Sequence, residues 1–143
     1  MHNVGAVFRT ADAIGVSKIY LCGTTPTPLD RFGKPRQDLA KAALGAEKNI
    51  PWEYVRNPSA LGKKLRAEGF EIISVEQLKT SVDYKKVKPK KKTVVIFGNE
   101  VNGVSKSLLK MSDIITEIPM RGQKESLNVS VAAGIVLFRL FDR

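Results

Sequence analysis

The residues best suited to chemistry lie in the last quarter of the chain. Ser126 stands directly before an apolar run that reaches Phe141, which is the position of a helix N-cap. Only Asn128, Ser130 and Arg139 are polar in this run, a pattern typical of a helix buried on nearly all sides. The free N–H groups of a helix start can hold an anion or a carbonyl group. We therefore expect either a polar site at this helix start or, alternatively, dense core packing around small residues.

A second polar cluster follows the apolar run Thr93–Phe97, which is typical of a parallel strand covered on both faces. Gly98, Asn99 and Glu100 come directly after it, and open α/β sheets bind ligands at the carboxyl ends of such strands. The glycine spacing matches neither the dinucleotide-binding motif nor the P-loop, so a nucleotide site of those kinds is not indicated. Taken alone, a loop glutamate such as Glu100 is usually solvated.

A third cluster opens the chain. Asn3 is predicted to cap a helix that runs to about Ile14 and is ended by Gly15. Arg9 falls off the apolar stripe of this helix, on the same face as Gly5, and a residue without a side chain would leave room for a ligand beside the guanidinium group. The alternative is that Arg9 is an ordinary surface ion-pair partner.

These three stretches, Asn3–Ala11, Val95–Ser105 and Ile118–Gly134, resemble in order the three motifs of the SpoU (TrmH-like) RNA ribose methyltransferases of the SPOUT superfamily. Three ordered motifs that span nearly the whole chain are far more specific than any one of them. The resemblance implies an enzyme that transfers a methyl group from S-adenosylmethionine (AdoMet) to a ribose 2′-hydroxyl of tRNA or rRNA. It also implies a homodimer and a C-terminal trefoil knot, although knots are rare in proteins.

The resemblance also implies a role for each motif residue. Arg9 is the general base for the 2′-hydroxyl, Ser126 and Asn128 position the nucleotide, and Glu100 positions either Arg9 or the sulfonium region of the cofactor. Asn3 organises the active site or simply caps its helix. The cofactor is expected to lie against Val75, Phe97, Gly98, Asn99, Ile118, Met120 and Leu127, largely through backbone groups.

Two points about these roles remain open from the sequence. An arginine side chain stays protonated in water at neutral pH and is therefore a poor base, so a substrate phosphate beside Arg9 would have to position it and take up its proton. Val75 and its neighbour Glu76 end a strand, and an ordinary strand end explains them as well as a place in the cofactor pocket does.

The chain is strongly basic, with 24 Lys and Arg against 14 Asp and Glu and a net charge of +10. Such an excess in a small protein indicates a polyanionic partner. The basic residues expected to contact RNA are those whose loops flank the motifs, namely Arg31, Lys34, Arg36 and Arg121. A run of lysines at 85–92 is expected, with equal weight, to be a solvated loop or a contact to the RNA backbone.

Composition excludes several other classes of protein. Cys22 is the only cysteine and His2 the only histidine, so one chain can form neither an internal disulfide nor a His/Cys metal cluster, and we expect no metal. No apolar stretch is long enough to span a bilayer and no signal peptide is present, so we expect a cytoplasmic protein with no membrane partner.

Helical and strand patterns alternate along the chain, which predicts an α/β fold with a mostly parallel sheet and helices on both faces. A length of 143 residues fits a single methyltransferase domain over residues 1–143. The strands are predicted at Lys18–Cys22, Trp52–Val55, Phe70–Val75, Thr93–Phe97 and Asp113–Ile118. Only Met1 and His2 precede Asn3, whereas the family has a strand there, so we expect either a truncated start or a sheet with one strand fewer.

Two other functions remain as alternatives. The chain could be a catalytically silent RNA-binding module of this fold, or a SPOUT enzyme that methylates a base nitrogen. The presence of Arg9, Glu100, Ser126 and Asn128 together favours the ribose-methylating enzyme over both.

Overall fold

The computed structural model describes residues 2–142, which form two compact units, one ending at Asn57 and the other beginning at Pro58. Every strand pair in both units is parallel, and helices alternate with strands along the chain. The predicted α/β fold with a parallel sheet is therefore confirmed. Within residues 2–142, no helix has the length and apolar character needed to cross a membrane.

The N-terminal unit is built on one long helix and a two-stranded parallel sheet. Its elements are α1 (His2–Ile14), β1 (Ile19–Cys22), α2 (Gln37–Ala43), α3 (Ala46–Asn49) and β2 (Trp52–Val55). The core of this unit joins α1 to α2 and to β1 through the buried side chains of Phe8, Leu21 and Leu39. As predicted, α1 runs to Ile14 and is ended by Gly15, whose φ of +83° suits a residue without a side chain.

Two expectations for α1 are wrong. Helix α1 begins at His2, so Asn3 lies inside it and is not its N-cap. Gly5 does not leave space for a ligand, because it is buried against α2: a Cβ there would lie 2.5 Å from the carbonyl oxygen of Leu39 and 2.6 Å from the Cβ of Ala42. The missing side chain allows α1 and α2 to pack closely, which the pattern of α1 alone could not reveal.

The C-terminal unit holds a four-stranded parallel sheet in the order β4-β6-β3-β5. Its elements are α4 (Pro58–Ala67), β3 (Glu71–Val75), β4 (Val82–Asp83), a 3₁₀ turn (Tyr84–Lys86), β5 (Thr93–Phe97), α5 (Lys106–Met111), β6 (Ile114–Glu117) and α6 (Val129–Phe141). Val75 of β3 pairs with Phe97 of β5 and with Thr116 of β6. The three strands therefore end at the same edge of the sheet.

Strand β5 is less buried than its apolar sequence predicted. All five of its residues are only partly buried. Among the described strands, β5 pairs with β3 alone and so lies at one edge of the sheet. Its apolar run therefore reflects partial cover and not the full cover on both faces that the sequence predicted.

Helix α6 begins two residues later than predicted. Its N-cap is Asn128 and not Ser126. The Oδ1 atom of Asn128 accepts hydrogen bonds from the backbone N–H of Ser130 at 2.9 Å and from the Ser130 hydroxyl at 2.6 Å. Asparagine and serine cap helices about equally well, so side-chain type could not choose between the two positions.

Nor is α6 buried on nearly all sides in this chain. Val136 and Leu140 pack with Ile73 of β3 into the core of the C-terminal unit. The opposite side exposes an apolar strip formed by Val131 (49% exposed), Ile135 (37%), Phe138 (40%) and Phe141 (37%). The chain therefore buries only one side of this helix, although the helix is apolar on nearly all sides.

Candidate functional site

A cavity of about 540 Å³ opens in the C-terminal unit where β3, β5 and β6 end. Every residue that the resemblance assigned to the cofactor lines it, namely Val75, Phe97, Gly98, Asn99, Ile118, Met120 and Leu127. Three of the expected catalytic residues, Glu100, Ser126 and Asn128, line it too. Because parallel strands bind ligands at this edge, the sheet itself brings the second and third motifs together.

The loop after β5 is held in shape by its own polar groups. The side-chain oxygen of Asn99 accepts a hydrogen bond from the backbone N–H of Val101 at 2.7 Å, and the Gly103 N–H donates to the Asn99 carbonyl at 2.8 Å. Gly103 has a φ of +67°, which favours glycine. The loop is therefore a closed turn that presents Glu100 and Val101 to solvent.

Gly98 is in close contact with the far end of this turn. A Cβ at Gly98 would meet the carbonyl carbon of Gly103 and lie 2.5 Å from the backbone nitrogen of Val104. Backbone atoms cannot move aside as a flexible side chain can, so a larger residue at 98 must displace the loop.

Glu76 fixes the same loop from the neighbouring strand. Its Oε2 atom accepts a hydrogen bond from the Val104 N–H at 2.9 Å, and its Oε1 atom accepts one from the Gln77 N–H at 3.1 Å. A Cβ on Gly103 would collide with this carboxylate. Of the two explanations left open for Glu76, the structure supports a place in the cavity, where it holds the loop.

Several lining residues were not assigned to cofactor binding or catalysis from the sequence. They are Gln77, Val101, Asn102, Gly103, Glu117, Val129 and Ala132. Gln77 and Glu117 follow or end strands whose carboxyl ends form the cavity, so the strand-end rule would have found them. Ala132 lies one turn after Asn128 on α6, where helical spacing places it on the same side.

Asn128 has a structural task in addition to the one expected of it. Capping α6 uses its Oδ1 atom, and the amide nitrogen takes no part in these hydrogen bonds. Ser126 is exposed, and Leu127 is 37% exposed. The segment before α6 therefore offers a hydroxyl, an apolar side chain and an amide to whatever the cavity holds.

The other expected site residues lie outside this cavity or belong to the N-terminal unit. Asn3 is partly buried and Arg9 is exposed on α1. Of the expected RNA contacts, Arg31, Lys34 and Arg121 are exposed and Arg36 is partly buried, and every lysine within 85–92 is exposed. Their roles stay predictions.

Neither a metal centre nor a reactive thiol stands out. Among residues 2–142, no three His, Cys, Asp or Glu side chains are grouped so that they could hold a metal ion. Burial raises the pKa of the Cys22 thiol above its usual value, which keeps the thiol protonated and weakly nucleophilic near neutral pH.

The three motifs occur along this chain in the same order as in a known family. The family model described as the SpoU rRNA methylase family matches residues 1–138. The chain belongs to this family. The resemblance carried by the three motifs is thereby confirmed.

Relatives of this SpoU chain include enzymes that act on tRNA and rRNA. The chain is 36% identical over 137 residues to tRNA (guanosine(18)-2′-O)-methyltransferase of Aquifex aeolicus (strain VF5). The aligned region covers 96% of this chain and 62% of the relative. The crystal structure of the A. aeolicus TrmH/SpoU tRNA modifying enzyme matches with a TM-score of 0.83 at 35% identity, over 96% of this chain and 66% of that one.

A second SpoU-like structure is that of the AdoMet-bound rRNA methyltransferase from Sinorhizobium meliloti. It matches with a TM-score of 0.83 at 32% identity, over 96% of this chain and 50% of that one. The chain thus spans less than two thirds of the length of each of these relatives.

Proposed function

We propose that this SpoU chain is a methyltransferase domain, extending over residues 1–143, that transfers a methyl group from AdoMet to a ribose 2′-hydroxyl of tRNA or rRNA. The observation that carries the proposal is one cavity at the carboxyl ends of three parallel strands, lined by Gly98, Glu100, Met120, Ser126 and Asn128. The names of the Aquifex and Sinorhizobium relatives support the same chemistry and the same cofactor.

The cavity fits AdoMet in size and in chemistry. A volume of about 540 Å³ lies in the range of small-ligand sites, which is about 300–1,000 Å³. Phe97, Met120 and Leu127 provide apolar surface for an adenine ring, and the carboxylates of Glu100 and Glu117 suit the positive charges of the amino and sulfonium groups. AdoMet, when bound, supplies a methyl group on an already activated sulfonium.

The remaining task of the protein is orientation, which can contribute much of the rate. Glu76 and Asn99 hold the loop after β5 in place. Ser126 and Asn128 are proposed to orient the ribose. Arg9, from the N-terminal unit, is proposed to take the proton of the 2′-hydroxyl. A substrate phosphate is proposed to position its guanidinium group and to take up the proton of that group first, so that the neutral form can act as the base.

RNA is proposed as the substrate because of the net charge of the chain as well as the names of its relatives. The net charge of +10 favours a polyanion. Arg31, Lys34, Arg36 and Arg121 are the proposed contacts, and the exposed lysines at 85–92 are available for the RNA backbone.

Incubation with methyl-labelled AdoMet and total RNA tests the proposal. Label should appear in RNA and should not appear when either component is omitted. Binding of AdoMet without transfer to any RNA would favour the catalytically silent module.

We also propose that the C-terminal segment is threaded as a trefoil knot. Strand β6 lies between β4 and β3, although both precede it in the chain. Helix α6 then packs on the segment between β4 and β5: Val136 and Leu140 share a core with Tyr84 and Val87, and Arg139 donates a hydrogen bond to the Lys85 carbonyl at 3.3 Å.

A homodimer is proposed through the apolar strip of α6. Val131, Ile135, Phe138 and Phe141 present a row of large apolar side chains to solvent, and a Cβ on Gly134 would meet nothing within 4 Å. Such an exposed apolar surface is typical of an interface, and a second copy of the same helix would cover it.

Replacing Ile135 by lysine should convert the dimer to a monomer, because a charge in the middle of the strip would be desolvated without a partner. Sedimentation at micromolar concentration measures this, with the wild type as a dimer. Ala67→Lys, a change at an exposed position on α4, is the matched control and should leave the dimer intact. A wild type that sediments as a monomer would contradict the proposal.

A further inference from the structure

The basic loop, residues 23–36, contains an ordered turn at its tip. The Oδ1 atom of Asp30 accepts hydrogen bonds from the backbone N–H groups of Phe32 at 2.8 Å and Lys34 at 2.9 Å, and the Asp30 N–H donates to the Lys34 carbonyl at 2.7 Å. Gly33 supplies the positive φ of +80° that closes the turn. Phe32, the residue at the tip, is therefore held in a defined position.

The side chain of Phe32 is unusual for its exposure to solvent. It is 73% exposed, although an aromatic ring of this size normally contributes by burial. The guanidinium carbon of Arg31 lies 4.9 Å from the centre of the ring. An exposed ring with an arginine beside it has the composition of a platform on which a nucleobase stacks.

A cavity of about 640 Å³ lies in the same unit, and Arg31 lines it as well as contacting Phe32. Its other lining groups include Arg36, the hydroxyl residues Thr25 and Thr27, and Tyr54. Guanidinium and hydroxyl groups are common partners of phosphate and sugar oxygens. The Tyr54 hydroxyl donates a hydrogen bond to the Gly23 carbonyl at 2.7 Å, which fixes this wall of the cavity.

We propose that the basic loop is a subsite for one unpaired nucleotide of the RNA: its base stacks on Phe32, and its phosphate and ribose lie in the cavity beside Arg31 and Arg36. The subsite rests on the proposed function in taking RNA as the ligand. RNA is favoured over a protein partner because the ring is flanked by cationic residues in a chain of net charge +10. A paired base within a duplex is already stacked on both sides, so the subsite selects single-stranded RNA.

The probe is a dye-labelled oligoribonucleotide of roughly 12 nucleotides without self-complementarity, a length within the usual range of single-strand sites. Fluorescence anisotropy should show that Phe32→Ala weakens binding about 5- to 150-fold, the effect of removing one stacking aromatic. Phe32→Tyr keeps a ring and should stay within about twofold of the wild type. The same oligonucleotide annealed to its complement should bind the wild type and Phe32→Ala equally.

The salt dependence of RNA affinity distinguishes the contribution of the Phe32 ring from that of the Arg31 charge. Phe32→Ala should shift the plot of log K against log salt without changing its slope, whereas Arg31→Gln should reduce the slope by about 0.7 if it contacts one phosphate of a single strand. AdoMet affinity, measured by calorimetry, should be unchanged in both variants, because the residues that line the cofactor cavity belong to the other unit.

Two outcomes overturn the subsite. If Phe32→Ala binds the single strand as tightly as the wild type, the Phe32 ring does not stack on a base. A change in sedimentation caused by Phe32→Ala, with RNA affinity unaltered, makes the ring a protein contact. A wild type that binds no RNA at all contradicts the proposed function itself, and so is distinguishable from either.

Discussion

Arg9→Ala should lose most methyl transfer while keeping nearly the affinity of the wild type for AdoMet. Arg9 is exposed on α1 in the N-terminal unit, and the residues lining the proposed cofactor cavity all belong to the C-terminal unit. Loss of a group that moves a proton in the transition state typically costs about 10²- to 10⁴-fold in rate. Single-turnover methyl transfer and calorimetry with AdoMet measure the two effects separately.

Two further variants make the Arg9 experiment specific. Lys64→Ala removes another exposed cation from a helix, α4, and should leave both transfer and AdoMet binding unchanged. Arg9→Lys keeps the charge but not the planar, two-pronged donor geometry that holds a phosphate, so it should restore only part of the rate. Loss of AdoMet affinity together with transfer in Arg9→Ala would mean that Arg9 supports the fold and not the reaction.

Gly98→Ala should weaken AdoMet binding about 5- to 150-fold, because overpacking typically costs about 1–3 kcal/mol. The added Cβ would meet the carbonyl carbon of Gly103 and lie 2.5 Å from the Val104 nitrogen, so the loop after β5 must shift. That loop supplies cavity residues from Asn99 to Gly103. Calorimetry with AdoMet gives the affinity, and thermal unfolding gives the accompanying loss of stability.

The chain offers a matched control for Gly98. Gly122 lies in the segment between β6 and α6, and a Cβ there would meet nothing within 4 Å. Gly122→Ala should therefore bind AdoMet as the wild type does. Equal affinities for Gly98→Ala and the wild type would show that the loop moves freely and does not shape the cavity.

The sequence predicted the parallel sheet through its local apolar patterns, and it predicted much of the cavity through the resemblance of its three motifs to those of the SpoU family. The apolar run Thr93–Phe97 became β5 with the predicted bounds. Motif residues that directly follow a strand, such as Gly98 and Ile118, reach the cavity because parallel strands end together.

The wrong predictions have other causes, of which tertiary packing is the clearest. A glycine is needed at position 5 because the backbone of α2 passes beside it. The sequence of α1 alone does not indicate this contact. Likewise, the contact from Glu76 to the Val104 N–H joins residues far apart in sequence. Ser126 and Asn128 are both good caps, and the structure places the helix start at Asn128.

The position of the label in RNA shows whether the methyl group goes to ribose. RNA methylated with labelled AdoMet is hydrolysed in alkali, which cleaves after every nucleotide with a free 2′-hydroxyl. We expect label in alkali-resistant dinucleotides, and the tRNA or rRNA fraction that carries them identifies the substrate class. Label in alkali-released mononucleotides would place the methyl group on a base and contradict the roles proposed for Arg9, Ser126 and Asn128.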